Sequence, residues 1–322
     1  MQFRLLTEHD TNLFAEFLTS LSEKTVYYFH PHPMDYENAA KFIVRIGCGE
    51  FTGFAAVLPG PPEKLLGYVY ISNEPVSRLG LCVRDGYQGQ GIGKELMRWA
   101  VDYCRTHARK GICLEVFKDN PRAIHLYEKF GFHIYGETED KKQHRMALYF
   151  TQLKMRCRLP EQISTFVPPP GYILRSYTEG DEKAWVNIIN NSIGSGWTVE
   201  RFNTEMKETS WFNPQGLFFV VKENIPVGTA CCQIQKVNQQ EFAYLHMVGV
   251  LPEHRGKGLG KVLCSKVLSY FREKGFAEVF LNTDDWRLPA IKCYLGLGFE
   301  PECPDELHQL RWKIVSGLIF QK

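Results

Sequence analysis

Two short stretches of this 322-residue chain have the residue types and spacing to hold an anion. The first reads Gln88-Gly89-Gln90-Gly91-Ile92-Gly93-Lys94 and the second Arg255-Gly256-Lys257-Gly258-Leu259-Gly260-Lys261. Each follows a run with strand patterning and opens an amphipathic helix. Glycine lets the backbone approach a ligand closely, because no Cβ intervenes. The first amides of a helix have no intrahelical acceptor, and the helix dipole adds partial positive charge there. The combination suits a phosphate or diphosphate. A glycine-rich turn serving only chain geometry is the other reading, and its recurrence in the same strand–loop–helix setting weighs against it.

Two common phosphate motifs are excluded. A P-loop needs Ser or Thr after its lysine, but Glu95 follows Lys94 and Val262 follows Lys261. The dinucleotide fingerprint needs G-x-G-x-x-G in a βαβ unit, and neither loop has that spacing. A further chemical candidate is His246, a possible base near neutrality. Period-two alternation predicts that Tyr244, His246, Val248 and Val250 share one strand face. A hydrogen-bonded core histidine fits the same pattern. The stretch Tyr27-Tyr28-Phe29-His30-Pro31-His32-Pro33 places aromatics and two histidines before a predicted helix, with 194–197 as a rough counterpart.

The elements that must carry these residues occur twice. At an offset of 167, Gly91 falls on Gly258, Gly93 on Gly260, Ala123 on Ala290, Tyr127 on Tyr294, and Gly131-Phe132 on Gly298-Phe299. Arg4, Glu8 and Asp10 match Arg175, Glu179 and Asp181 at an offset of 171. Each copy opens with a strand (2–6; 172–177) and one or two helices. Paired strands follow (51–58 and 65–72; 217–222 and 227–235), then a fourth (76–83; 242–250) that runs into the loop. Apolar stripes Ile92, Leu96, Trp99, Tyr103 and Leu259, Leu263, Val267, Tyr270 predict the next helices, ended by Gly111 and Gly275. A strand (112–117; 277–281), another helix and terminal strands complete each copy. The class is α+β, with a mixed, mostly antiparallel sheet flanked by helices. Pro168, Pro169 and Pro170 cannot continue a helix or central strand. The reading places one domain at 1–155, a Pro-rich linker at 156–171 and a second domain at 172–322.

Lys plus Arg is 38 and Asp plus Glu is 36, a net charge of +2, which argues against a dedicated nucleic-acid binder. No run approaches the roughly 18 apolar residues of a membrane span. No signal-peptide pattern opens the chain, and none of the ten cysteines forms a C-x-x-C pair, so no metal or thioredoxin-like site is expected. These features read as a reduced, cytoplasmic protein, a monomer or a homodimer.

A [QR]-x-x-G-x-[GA] loop after a strand, then Asn120-Pro121-Arg122-Ala123 through Tyr127 and Gly131-Phe132, resembles the GCN5-related N-acetyltransferases. The resemblance covers most of both copies, and the tandem arrangement resembles that of mycothiol synthase, in which one copy catalyses. It implies that the loop amides bind the diphosphate of acetyl-CoA. It implies that the end of the fourth strand (Leu81 to Val83; Val248 to Val250) offers backbone groups to the pantetheine arm. It also implies that this strand splays from its neighbour, that Asn120 contacts the pantetheine, and that Tyr127 and Tyr294 stand where the family's general acid stands. Each tyrosine also reads as a packing aromatic. Arg287 replaces Asn120 in the second copy, where Asp284 and Asp285 could bind a cationic substrate or act as a base, or form a solvated turn. Arg255 and Lys257 there would favour phosphate. In the first copy Ser77 and Leu79 fill the places of Tyr244 and His246, leaving water as the base. The expected activity is acetyl transfer to an amine of a small molecule. The alternatives are acetylation of a protein or peptide, a non-catalytic acyl-CoA-binding or regulatory protein, and a structural double domain with empty loops.

Overall fold

The computed structural model describes residues 1–29, 31 and 33–320. His30 and His32, singled out above, lie outside the described residues. The chain divides into two compact units, Met1–Thr151 and Gln152–Lys322.

In chain order the first unit holds β1 (Gln2–Leu5), α1 (Thr11–Thr19), α2 (Glu23–Tyr28), α3 (Tyr36–Gly47), β2 (Phe51–Leu58), β3 (Lys64–Ser72), β4 (Val76–Val83), α4 (Ile92–Thr106), β5 (Gly111–Phe117), α5 (Pro121–Lys129), β6 (His133–Glu137) and β7 (Gln143–Tyr149). The second holds β8 (Leu153–Arg158), β9 (Tyr172–Ser176), α6 (Glu182–Asn190), α7 (Val199–Phe202), β10 (Leu217–Lys222), β11 (Ile225–Val237), β12 (Gln240–Val250), α8 (Leu259–Glu273), β13 (Glu278–Thr283), α9 (Leu288–Leu295), β14 (Glu300–Glu302) and α10 (Glu306–Phe320).

Each unit is built on one seven-stranded sheet. The first runs β1-β2-β3-β4-β5-β7-β6 and the second β9-β10-β11-β12-β13-β8-β14. Only β4 with β5, and β12 with β13, pair in parallel; the other neighbouring pairs are antiparallel. The parallel pairs arise because α4 and α8 must carry the chain across one sheet face before it returns. The predicted α+β class and the two tandem copies are therefore present.

In the first unit the sheet has a separate core on each face. Phe14, Phe17, Phe42 and Tyr68 pack beneath α1 and α3. Leu96, Met97, Ala100 and Phe132 pack beneath α4 and α5. The duplicated Arg–Asp pattern has a common job. Arg4 bonds Asp10 at 2.7 and 2.8 Å, while the Thr7 amide donates to the same carboxylate. Arg175, Asp181 and Thr178 repeat the arrangement. The ion pairs join β1 in one unit and β9 in the other to the turn that leads into the next helix.

The domain reading needs two corrections. Residues 153–158 were assigned partly to the first domain and partly to the linker. They form β8, which pairs with β13 and β14 inside the second sheet. The predicted terminal strands of the second copy are also reduced to β14, and the unit ends in α10. Between β5 and β6 the first sheet holds β7, from the end of its unit. Between β13 and β14 the second sheet holds β8, from the beginning of its unit. The two sheets have the same layout with one strand supplied from opposite ends of the repeat. Local patterning does not reveal this, because Leu153, Met155 and Cys157 alternate as any half-buried strand would. Helix α10 is tied down by the buried Arg311, whose guanidinium bonds Asp285 at 3.0 Å. Two smaller differences concern α4. Gly111 does not end that helix; it starts β5, and Ala108 takes the positive φ instead. Trp99 is 41% exposed and packs against Phe54 with ring centres 5.1 Å apart, outside the buried stripe.

This arrangement predicts that a fragment comprising residues 152–322 folds cooperatively in a urea titration. A fragment starting at Tyr172 lacks the strand between β13 and β14, and its unfolding transition should be broad or absent.

Candidate active site

The sheet of the first unit opens along one seam. Strands β4 and β5 are in register only at Val76, Ser77 and Arg78 with Gly111, Ile112 and Cys113. Beyond these the strands part, while β4 stays paired to β3 as far as Val83. A cavity of about 1030 Å³ lies at the gap, lined by β4 from Leu79 to Val83, the glycine loop, Asn120 and Tyr127. The backbone groups on the β5 side of that β4 segment lack a strand partner, and apart from the Val83 carbonyl, which accepts from Gln88, they are open to a ligand.

The loop has the geometry its glycines suggested. Gly89 and Gly91 have φ of +84° and +87°, and Gly91 is the N-cap of α4. A side chain at Gly91 would meet nothing within 4 Å, so backbone conformation rather than space calls for glycine. The first helical bond runs from the Glu95 amide to Gly91, which leaves the amides just before it without intrahelical acceptors. Gln88 donates to the Val83 carbonyl at 3.0 Å and Gln90 to the Gly86 carbonyl at 3.0 Å. Both side chains thus fold back to brace the loop. Lys94 lines the cavity.

On the facing helix, Asn120 is the N-cap of α5 and accepts from the Ala123 amide at 3.2 Å. Its carboxamide nitrogen remains available to the cavity it lines. Tyr127 is 7% exposed and lines the same cavity. Burial pushes its phenol well above the ordinary range, with further contributions from Cys82 and Tyr70. The proton therefore stays on oxygen at neutral pH.

Sequence reading missed two contributors, Arg122 and Asp85, and the aromatic stretch that it singled out supplies a third. Arg122 reaches Gln88 Oε1 at 3.5 Å and stands beside Gly89, so a cation lies over the loop. Asp85 accepts from the Ser22 amide at 2.8 Å and from the Thr25 hydroxyl at 2.7 Å, anchoring α2 to the loop. Tyr28 donates to the Asp119 carbonyl at 3.2 Å, and the Tyr27 ring lies 4.8 Å from that of Phe117. Helix α2 therefore spans from the loop to the end of β5, and Tyr28 and Phe29 wall the cavity. The aromatic stretch was the available signal; Asp85 and Arg122 gave none, because their partners are distant in sequence or conformation.

The second unit repeats the loop with different side chains. Gly256 and Gly258 both have φ of +76°. Arg255 donates to the Val250 carbonyl at 3.1 Å and Lys257 to the Glu253 carbonyl at 3.2 Å. These are the braces that Gln88 and Gln90 make. Lys261 sits 5.3 Å from the centre of the Phe166 ring. Tyr294 is buried, and burial beside Cys264 and Cys293 raises its phenol well above the ordinary range. Strands β12 and β13 are in register only at Ala243 and Tyr244 with Val279 and Phe280, so this seam also opens.

Two expectations about this unit fail. Asp284 and Asp285 do not form a free acidic pair: Asp284 accepts from Arg287 at 2.8 Å and Gln152 at 3.1 Å, and Asp285 holds Arg311. Arg287, in the place of Asn120, also donates to the Ile193 carbonyl at 2.8 Å. Nor do Tyr244, His246, Val248 and Val250 share a face. Met247 has φ of +52°, and the register slips between Thr229 and Cys231, a β-bulge that inverts the alternation. His246 thus lies opposite Cys231, on the face opposite to Val248 and Val250. Burial lowers its pKa to about 4.

The profile of the Acetyltransferase (GNAT) family matches residues 10–132 and 183–299, more than half of the chain. The chain belongs to this family. It is an acetyl-CoA-dependent N-acetyltransferase with two tandem GNAT domains. It is 27% identical over 277 residues to a mycothiol acetyltransferase of Thermobispora bispora, covering 81% of each chain. It is 22% identical over 293 residues to one of Stackebrandtia nassauensis, covering 88% of this chain and 87% of that one. A crystal structure of a GCN5-related N-acetyltransferase from Sphaerobacter thermophilus aligns over 93% of this chain and 92% of that one, with 18% identity and a TM-score of 0.41. No helix among the described residues of this GNAT protein is long and apolar enough to cross a membrane.

The depressed pKa of His246 has a measurable consequence. The unfolded chain takes up its proton near the free value of 6.5 and the folded chain only near 4. This contribution to stability is complete above the higher pH and is lost as pH falls to the lower one, a loss of about 3 kcal/mol. Denaturant titrations across that range should show a flatter pH dependence for His246→Gln than for the parent.

Proposed function

We propose that the first unit is the catalytic copy and transfers acetyl from acetyl-CoA to a primary amine of a small molecule. The observation that carries this reading is the open β4–β5 seam, with the glycine loop at one end and the buried Tyr127 phenol on its wall. Left-handed glycines, unpaired helix-start amides and the Arg122 cation fit a diphosphate. The unpaired β4 edge fits the amide-bearing arm of the cosubstrate. When bound, acetyl-CoA supplies an activated acetyl carbon and a thiolate leaving group.

The protein's own groups account for the remaining chemistry. A backbone N–H on the free β4 edge stabilises negative charge developing on a carbonyl oxygen. Tyr127, held protonated by burial, donates to the departing sulfur. In the second unit, Arg287 bonds across to Ile193 and Phe166 packs over Lys261, which supports a binding or structural role there. The names of the two relatives support a small-molecule acceptor over a protein one.

Gly91→Glu should abolish acetyl-CoA binding and turnover by the first unit, through backbone strain and charge repulsion. Gly258→Glu should leave turnover in place. Isothermal titration counts the working sites, and turnover that survives Gly91→Glu but not Gly258→Glu would transfer the catalytic role to the second unit.

Tyr127→Phe should lower kcat by about 100-fold or more, the usual range for loss of a general acid, with acetyl-CoA affinity unchanged. Stopped-flow detection of released CoA thiol reads this directly, and an unaltered kcat defeats the acid role.

A further inference from the structure

The proposed mechanism leaves the amine without a protein partner. Water was the expected base in the first copy, with Ser77 and Leu79 at the places of Tyr244 and His246. The bulge at Met247 changes that correspondence. Gly67 pairs with Val83 and Gly228 with Val250, which fixes the equivalence of the two strand pairs. Counting back from there, Tyr70 lies opposite Gly80 in the first unit and Cys231 opposite His246 in the second. The cross-strand pair is Tyr–Gly in one copy and Cys–His in the other. Each contributes one polar ring, from the third strand in one unit and the fourth in the other.

Gly80 explains how the Tyr70 ring comes to lie over β4 where that strand has left β5. A Cβ at residue 80 would lie 2.3 Å from Tyr70 Cε1, 2.6 Å from Cζ and 2.8 Å from the hydroxyl oxygen. The ring therefore lies flat across the strand, in space that any side chain would fill. A glycine inside a strand marks such close approaches. Gly80 itself lines the cavity, in the part of β4 that has left β5. The Tyr70 ring is gripped by Phe42 at 5.2 Å and Phe51 at 5.3 Å, on the face covered by α3. Tyr127 belongs to the core of the opposite face, beneath α4 and α5. The two tyrosines thus belong to opposite faces of the sheet, Tyr127 on the cavity wall and Tyr70 over Gly80, which also lines the cavity. Among the described residues, the Tyr70 hydroxyl has no hydrogen-bond partner, although the ring is half-buried and firmly packed.

We propose that Tyr70 receives the acceptor amine: its phenol oxygen accepts a hydrogen bond from the attacking N–H and directs the nitrogen lone pair at the acetyl carbon. This rests on the first unit being the catalytic copy. The nitrogen forms its bond to that carbon as the carbon–sulfur bond breaks. The electron pair of the broken bond goes to sulfur, which takes the proton of Tyr127. The proton lost by the amine leaves through water and restores the Tyr127 phenol. Tyr70 keeps its own proton throughout, since burial holds its pKa above the ordinary value. It orients the nucleophile and is not the final proton acceptor.

The test uses the full chain with Tyr70→Phe and Gly80→Ala. A panel of primary amines including spermidine and glucosamine supplies the probe, with acetyl-CoA hydrolysis as the readout if no amine is taken; the same phenol would then orient water. Tyr70→Phe should lower turnover by about 10- to 100-fold, the value of a hydrogen bond made to the reacting nucleophile. Its melting temperature and its acetyl-CoA affinity by titration should match the parent, because the hydroxyl has no protein bond to lose. Gly80→Ala, which must displace the ring, should reproduce the loss of turnover. Full turnover in Tyr70→Phe overturns the proposal, and so does a loss matched by lower melting or weaker cosubstrate binding. If Tyr127→Phe and Gly91→Glu are silent as well, the choice of catalytic unit falls with it. If they are damaging and Tyr70→Phe alone is silent, only the role of Tyr70 falls.

Discussion

The parallel ladder between β4 and β5 ends after three residue pairs, and the role proposed for the first unit depends on that early ending. A fully zipped sheet would satisfy every β4 backbone group internally and seal the seam. Because the ladder stops, five residues of β4 keep β3 as a partner on one side and present an unpaired edge on the other. Such groups are costly to bury without a partner and effective where a polar ligand supplies one. The surroundings keep the seam open. Helix α2 bridges from Asp85 to Phe117 and Asp119, and α5 approaches from the other face with Asn120 and Tyr127.

Comparing the units separates what the loop requires from what it tolerates. Gln88 and Arg255 both donate to the carbonyl that ends the fourth strand, and Gln90 and Lys257 both donate to the carbonyl four residues earlier. A neutral amide and a cation serve equally, because the structural need is a donor of the right length. The charge of Arg255 and Lys257 stays beside the loop even though one donor of Arg255 and two of Lys257 are engaged. The units diverge at the start of the helix after the fifth strand. There Asn120 caps its own helix and leaves donors for the cavity, whereas Arg287 reaches across to Ile193. One residue type at one position thus separates an open wall from a cross-linked one.

The strand exchange between repeats follows the same physics. A slot between β5 and β6, or between β13 and β14, requires a strand that can pair antiparallel with both neighbours. β7 and β8 both meet that requirement from opposite ends of their units. The sheet is indifferent to chain order, provided that connections are short enough and the edge is paired. With β8 supplied early, the chain end is released to form α10, which the buried Arg311–Asp285 pair holds in place.

The sequence alone determined the duplication, the order of the main strands, the two loops and their helices, and the family they resemble. Those features are local: a glycine spacing, a period of two or of 3.6, and a fixed offset between copies. The tertiary structure decided everything that depends on which residues meet across strands. It moved residues 153–158 into the second sheet, and it placed Asp284 and Asp285 in ion pairs. It also turned His246 away from the face of Val248 and Val250 through a bulge at Met247, whose positive φ falls on a residue that is not glycine. It laid the Tyr70 ring across Gly80, a contact between residues ten apart that periodicity cannot foresee. Register is a property of strand pairs rather than of either strand, so a single inserted residue reassigns faces that the sequence pattern reads as fixed.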